Sequence, residues 1–280
     1  MCKSFIASLL AFLFILSPTV LVATITPGQI ITNCAINGTA AITFDDGPSE
    51  ACDDHFMLWT HELLDFLKDN GITATFFING DNYNCIYDYA DVILRIHEEG
   101  HQIGSHTWSH PDLTLVNQTE VFYQITSLEK ALKKILGLVP KYLRPPYGSY
   151  NDEVINTIES LGYTIVLWNL DTIDSLGGSV EYGLEKYRTS DGPPSSHIVL
   201  DHDSHKLSCQ QLGPQGIQIY LDKGFKLMSV AECIGETDSS LWYQYIGTPS
   251  DRDDTWTCSP GDIHKDSDGF TNSDFFIDED

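Results

Sequence analysis

Along this chain about seven short apolar runs alternate with stretches of helical period, and most of the helical stretches are stopped by a glycine. The apolar runs cover residues 41–45, 74–79, 102–105, 142–145, 164–170, 197–201 and 225–229. Between them, apolar residues recur at helical spacing over 55–70 before Gly71, 87–99 before Gly100, 120–136 before Gly137 and 151–161 before Gly162. Weaker helical stretches cover 180–187 and 215–223. Strand followed by helix, over and over, means parallel strands joined by right-handed crossovers. About seven such units predict an α/β fold, a distorted (β/α) barrel of about seven parallel strands, with an open doubly wound sheet as the competing arrangement. No internal repeat divides the chain, so a single domain is expected.

In α/β enzymes the chemistry sits in the loops at the carboxyl ends of the strands. The run Ala40-Ala41-Ile42-Thr43-Phe44 ends directly in Asp45-Asp46-Gly47-Pro48-Ser49, two adjacent carboxylates at such an end. Alone, Asp-Asp-Gly-Pro is equally a plain turn, so partners elsewhere must decide. His106 and His110 follow the run 102–105. Four apart on one helical turn, both rings could reach one ion at ~2.0–2.1 Å. With Asp46 they would make a three-ligand site with an open position, the pattern of a catalytic zinc; a solvated turn is the plainer alternative for the pair. Three further strand ends carry polar groups: Arg144 beside Pro145-Pro146, Asp171 and Asp174 after Trp168-Asn169-Leu170, and His202 after Leu200-Asp201. Singly, Arg144 could tie loops, Asp174 cap a helix and His202 lie on the surface. Five polar strand ends in one alternating pattern are hard to explain by packing.

These stretches, in this order from about Cys34 to Cys233, resemble the polysaccharide deacetylases of the carbohydrate esterase type, most closely the fungal-type chitin deacetylases. The resemblance implies a distorted (β/α) barrel and a set of roles. Asp45 would be the general base, and Asp46, His106 and His110 the ligands of a divalent metal, Zn²⁺ with Co²⁺ as a substitute. Arg144 would orient Asp45, and the backbone N–H of Tyr147 would join the oxyanion hole. His202 would be the general acid, tuned by Asp174, and Leu200 would line the pocket for the acetyl methyl. The substrate would be chitin or oligomers of N-acetylglucosamine. Thr107 and Ser109 read as loop-fixing hydroxyls. Of the aromatics Tyr83, Trp108, Tyr147 and Trp168, only Tyr147 is expected to line a groove. The chain departs from the family pattern after Asp174, where Ser175-Leu176-Gly177-Gly178 replaces the usual aromatic residue, so the acetyl pocket either lacks a wall or borrows one from Leu176 or the tail.

Composition bounds the remaining choices. The formal net charge of -25 disfavours nucleic acid and anionic membranes as partners and suits a neutral or cationic one. Residues 1–23 read as a secretory signal peptide, with one early Lys, an apolar run and small residues near Ala23, so a secreted, extracellular monomer without a membrane anchor is expected. Residues 24–235 would then form the catalytic domain. Residues 236–280, rich in Asp, Ser and Gly, are expected to be an acidic and largely disordered tail, although they hold Trp242, Tyr243, Tyr245 and Trp256. Once Cys2 leaves with the leader, the cysteines are even in number, and their positions suggest Cys34 with Cys233, Cys52 with Cys85 and Cys209 with Cys258. Asn37-Gly38-Thr39 and Asn117-Gln118-Thr119 are glycosylation acceptors. Two other functions stay open: an esterase on another acetylated polysaccharide such as acetylxylan, and a chitin-binding protein with little turnover.

Overall fold

A computed structural model describes residues 25–49 and 59–258. The expected leader and Cys52 lie outside the described residues. Among the described residues eleven strands and seven α-helices follow in order: β1 (Ile30–Ile31), β2 (Thr39–Asp45), α1 (Trp59–Asn70), β3 (Thr75–Ile78), α2 (Ala90–Glu98), β4 (Gln102–Ser105), α3 (Gln118–Leu136), β5 (Leu138–Pro140), β6 (Tyr142–Leu143), α4 (Asp152–Ser160), β7 (Thr164–Val166), β8 (Leu170–Asp171), α5 (Val180–Thr189), β9 (His197–His202), α6 (Gly213–Asp222), β10 (Lys226–Leu227), α7 (Val230–Cys233) and β11 (Tyr243–Ile246). The main sheet runs β1-β7-β6-β4-β3-β2-β9-β8, every pairing in it is parallel, and β10 joins the start of β2. The curled parallel sheet with helices outside is the (β/α) barrel that the alternation predicts.

Local chemistry explains the helix ends. Asn117, Asn151 and Ser179 each accept a backbone N–H at the start of α3, α4 and α5. Gly137 closes α3 in the left-handed conformation with φ of 70°. β2 is the spine: every one of its residues is buried, and it pairs with β9 along one edge and with β10 and β3 along the other.

The apolar run 164–170 is not one strand but two, β7 and β8. Arg144 explains the break. Its Nε donates to the carbonyl of Val166 at 3.2 Å and its Nη2 to that of Leu167 at 3.2 Å, in place of a neighbouring strand. Asn169 then reattaches the chain to the edge of β9, accepting from the N–H of Ile198 at 2.9 Å and donating to the carbonyl of Ser196 at 3.0 Å.

The segment after Glu236 also differs from expectation. Up to Cys258 it packs on the barrel, with Trp242 and Tyr243 buried and β11 antiparallel to β5. Lys141 and the hydroxyl of Tyr142 both bond the Glu236 carboxylate. Averaging over the acidic stretch hid the aromatic residues that drive this docking. Residues 259–280 lie outside the described residues.

The Cys34–Cys233 bridge is present and closes a separation of 199 residues, which the chain-entropy model values at about 5 kcal/mol. The second bridge is Cys85–Cys258, so the pairings of Cys52 with Cys85 and of Cys209 with Cys258 are both overturned. Cys209 is a buried free thiol near the Asp203 carbonyl, 3.3 Å away. Among the described residues no helix is long and apolar enough to cross a membrane.

Candidate active site and metal centre

The carboxyl ends of β2, β4, β6 and β9 bring the candidate residues together. Thr43 and Asp45 share one face of β2, and Leu200 and His202 share one face of β9, because side chains two apart point the same way along a strand. Arg144 is fully buried and donates from Nη1 to Asp45 Oδ1 at 2.7 Å and to Thr43 Oγ1 at 2.7 Å. Its guanidinium lies 4.1 Å from the ring centre of Phe77 and 5.5 Å from that of Trp168. Burial raises the Asp45 pKa, with Arg144 opposing.

Asp46 turns away from β2 with φ of 73°. Gly47 permits the turn: a Cβ there would lie 2.0 Å from the buried Asp203 carboxylate. Thr60 donates to that carboxylate at 2.7 Å, and the N–H of Asp203 donates to the Asp45 carbonyl at 3.2 Å, so Asp203 braces the metal-side loop from beneath.

His106 and His110 meet Asp46, but not on the expected helical turn. Residues 106–110 form an irregular loop in which Thr107 and His110 take φ of 74° and 59°. Buried Trp108 plugs the loop, its ring filling the space against Gly80, and its backbone N–H donates to the Gln124 carbonyl. Thr107 and Ser109 do fix this loop: Thr107 Oγ1 accepts the N–H of His110 at 3.2 Å, and Ser109 Oγ accepts from Gln124 Nε2 at 2.8 Å. Asn79, which the sequence reading passed over, donates to the carbonyls of His106 at 2.5 Å and Thr107 at 3.1 Å. It was legible only as the polar terminus of the second apolar run.

Asp46 Oδ1 lies 3.6 Å from His106 Nε2 and 3.4 Å from His110 Nε2, and the three ligand atoms fall within 4.8 Å of one another. Ligands ~2.1 Å from a tetrahedral ion stand roughly 3.4 Å apart, so the donor set fits one. His106 Nδ1 donates to the Arg144 carbonyl at 2.7 Å, which leaves Nε2 as the lone-pair atom. Burial holds both histidines down at about 3, hence neutral, while it pushes Asp46 up to about 7. Asp46 Oδ1 is buried without a hydrogen-bond partner. A desolvated carboxylate oxygen facing two neutral imidazoles is a site that a cation completes.

His202 and Asp174 form the other half. His202 Nδ1 sits 2.7 Å from Asp174 Oδ1, and the His202 backbone N–H donates to Asp174 Oδ2 at 2.8 Å. Ser208 Oγ and the N–H of Ser175 also donate to Asp174, at 2.6 and 2.9 Å. Burial works against a charged imidazole, yet the Asp174 hydrogen bond and the Asp174, Asp45 and Asp46 charges hold His202 up at about 9. Asp174 is correspondingly lowered, against its own burial.

Tyr147 stands at the rim, 67 % exposed with φ of 59°, its ring edge-on to His110 at 4.7 Å. Leu200 is buried on β9. Ser175 is exposed, and Leu176 is 79 % exposed and forms no wall; the tail's described contacts include β5, β6, α2, α3 and the 79–89 loop, and none that is described reaches Ser175. Tyr83, not expected to line a groove, lines a cavity of about 580 Å³ together with Trp59, Asp174, His205 and Leu207. Trp108 is a core plug, as its type suggested.

The family model described as "Polysaccharide deacetylase" matches residues 32–166. A chitin deacetylase of Pestalotiopsis sp is 42% identical over 79% of this chain and 71% of its own length. One from Colletotrichum lindemuthianum is 36% identical over 78% of this chain and 87% of its own. A third, from Arthroderma benhamiae, is 36% identical and longer, matched over 58% of its length. The chain belongs to the polysaccharide deacetylase family. It is accordingly a hydrolase of the carbohydrate esterase class. The solved chitin deacetylase of Colletotrichum lindemuthianum superposes with a TM-score of 0.73 at 35% identity, covering 80% of this chain and 99% of that one. Metalloenzyme chemistry, which the family uses, agrees with the Asp46-His106-His110 cluster.

Proposed function

We propose that this polysaccharide deacetylase removes N-acetyl groups from chitin or chitooligosaccharides, releasing acetate and leaving free amines. One observation carries the reading: a carboxylate on a buried arginine, a three-residue metal set and a charged histidine on a carboxylate all open into one mouth. Relatives named chitin deacetylases support the substrate class.

The roles divide by geometry. Asp46, His106 and His110 would hold a divalent cation, Zn²⁺ or Co²⁺, whose chemistry when bound is to polarise the acetyl carbonyl and acidify a water. Asp45 takes the proton of the attacking water, held in place by Arg144 and Thr43. The Tyr147 backbone N–H donates to the oxyanion as it develops. His202, protonated below about 9, delivers a proton to the departing amine, and Asp174 fixes it as an Nδ1–H donor so that Nε2 faces the substrate. Leu200 supplies the apolar wall for the acetyl methyl. No covalent intermediate with the protein is required.

The enzyme acts as an exported monomer in this reading, with its leader within residues 1–23 and its catalytic residues within 24–235. The two disulfides among the described residues favour an oxidising compartment. The test is acetate release from N-acetylglucosamine oligomers of defined length, with and without chelator, beside acetylxylan and peptidoglycan. Chelator-sensitive release from the oligomers alone supports the reading. Release from acetylxylan alone, or binding to chitin without release, overturns it.

A further inference from the structure

The described part of the C-terminal segment reaches the loop that follows β3. After β11 it runs along α3, where the N–H of Ser250 donates to the Lys134 carbonyl at 2.9 Å and Lys134 Nζ donates to Thr255 Oγ1 at 2.8 Å. Gly137 and Gly247 meet there backbone to backbone: a Cβ on Gly137 would lie 2.7 Å from the Gly247 carbonyl oxygen. Arg252 pairs with Asp88 at 3.8 Å, and the Trp256 ring packs on Tyr87 at 5.6 Å. The segment then bridges to Cys85 through Cys258.

Cys85 closes a tight turn. Asp81 and Cys85 form an isolated antiparallel bridge, the N–H of Ile86 donates to the Gly80 carbonyl at 2.8 Å, and the N–H of Asp81 donates to the Trp108 carbonyl at 2.6 Å. Tyr83 lies within this turn, 58 % exposed, and lines the cavity that Asp174 and His205 also line. The metal ligands have anchors of their own on Arg144, Ile78 and Thr107. The bridge therefore holds the Tyr83 wall, and through the N–H groups of Gly80 and Asp81 the turn also bonds the backbone of the 107–108 loop.

We propose that residues 243–258 are a positioning strap, which through Cys85–Cys258 holds the Asp81–Cys85 turn so that Tyr83 forms a fixed wall for the sugar unit next to the reacting acetamide. An amphipathic ring presents area to a pyranose face at little entropic cost, provided its backbone is already ordered. The substrate part of this proposal rests on the deacetylase reading above. The positioning part does not.

The experiment uses the full chain. With the N-acetylglucosamine tetramer as probe, Cys258→Ser is expected to raise KM about fivefold with kcat within twofold and metal content unchanged. Tyr83→Ala should show the same split, and the double variant should be no worse than Tyr83→Ala, because both changes remove one contact. Additive effects, or an unchanged KM in Cys258→Ser, overturn the proposal. Should Cys258→Ser not fold, Arg252→Ala combined with Trp256→Ala loosens the same strap and enters the same cycle. Amide exchange separates the two readings: at Asp81 and Ile86 it should quicken at least tenfold when the strap is cut, with β2 unaffected. Quickened exchange in a protein that releases no acetate from the tetramer would sink the deacetylase reading and leave the strap standing. Unaltered exchange sinks the strap whatever the substrate.

Discussion

Two carboxylate–imidazole arrangements face each other across the mouth of this barrel, built from the same residue types to opposite ends. On one side Asp46 stands 3.4 and 3.6 Å from two imidazole nitrogens, too far to share a proton and close to the spacing of ligands around an ion. On the other, Asp174 stands 2.7 Å from His202 Nδ1 and shares a proton with it. The electrostatics follow the spacing. Both metal-side histidines are held neutral at about 3, and His202 is held charged up to about 9. Less than an ångström, with the count of other donors on the carboxylate, separates a cation site from an acid.

Removing a ligand should have the largest effect. His106→Ala is expected to lose the ion and lower kcat/KM by at least ~10³-fold, since Lewis acidity and nucleophile both depend on it. Asp45→Asn should keep the ion and lose turnover to a comparable degree. Metal stoichiometry beside acetate release checks both. Equal metal loss in the two variants would mean that Asp45 and Asp46 do not divide as base and ligand.

The acid side should respond through pH. Activity needs Asp45 deprotonated and His202 protonated, which gives a bell whose alkaline limb is set by His202. A cation bound beside Asp46 adds positive charge and brings that limb below about 9. Asp174→Asn removes the charge that raises His202 while burial remains, so the alkaline limb should move to lower pH by roughly 1–3 units, with metal content unchanged. kcat at neutral pH should fall ~10²-fold or more. The same pair bears on stability. His202, raised in the fold, contributes fully below its ordinary pKa and loses that contribution as pH rises through about 9. Asp174, lowered in the fold, contributes above its ordinary pKa and loses that contribution as pH falls through its depressed value. Thermal melting of the Asp174→Asn protein should therefore lose most between those limits.

Arg144 belongs to one side of the comparison and not the other. Its carbonyl fixes His106 and its guanidinium holds Asp45 and the carbonyls of Val166 and Leu167. Arg144→Lys keeps a charge but cannot reach all of these acceptors, and each buried carbonyl left unpaired costs about 1–3 kcal/mol. A lowered melting temperature and reduced kcat with an unmoved alkaline limb are expected. A shift of that limb would show that the two sides are coupled through Arg144.

The residues that could be read from sequence are those whose meaning is local. A strand that ends in Asp45-Asp46-Gly47 and another that ends at His202 announce themselves, because alternation and turn chemistry act within a few residues. What could not be read depends on partners far along the chain. The break between β7 and β8 is caused by Arg144, more than twenty residues away. Cys258 finds Cys85 because β11 lays the tail along β5, a pairing that no local pattern signals. The His106–His110 spacing was legible and its backbone was not: four apart suits a helix, but Thr107 and His110 at positive φ reach the same ligand geometry in a loop closed on Gln124 and Asn79.

The smallest expected effect belongs to Ser175, which stands on the acid side where the family usually has an aromatic residue. Its N–H holds Asp174 Oδ1 at 2.9 Å, while its side chain is exposed and the neighbouring Leu176 is 79 % exposed. A larger side chain can therefore be added there without moving Asp174. Packing about a methyl-sized group is worth ~1–3 kcal/mol, so its absence should lower efficiency on acetyl substrates and relax the acyl preference without disabling the site. Ser175→Trp should raise kcat/KM on the acetylated tetramer several-fold and reduce it on the propionylated analogue. Metal content and the alkaline limb should stay where they are, since neither side's charges change. Competition assays with the two analogues give the ratio directly. If the wild type already discriminates acetyl from propionyl sharply, and Ser175→Trp hydrolyses neither, another residue already closes that pocket and Ser175 is no more than a donor to Asp174.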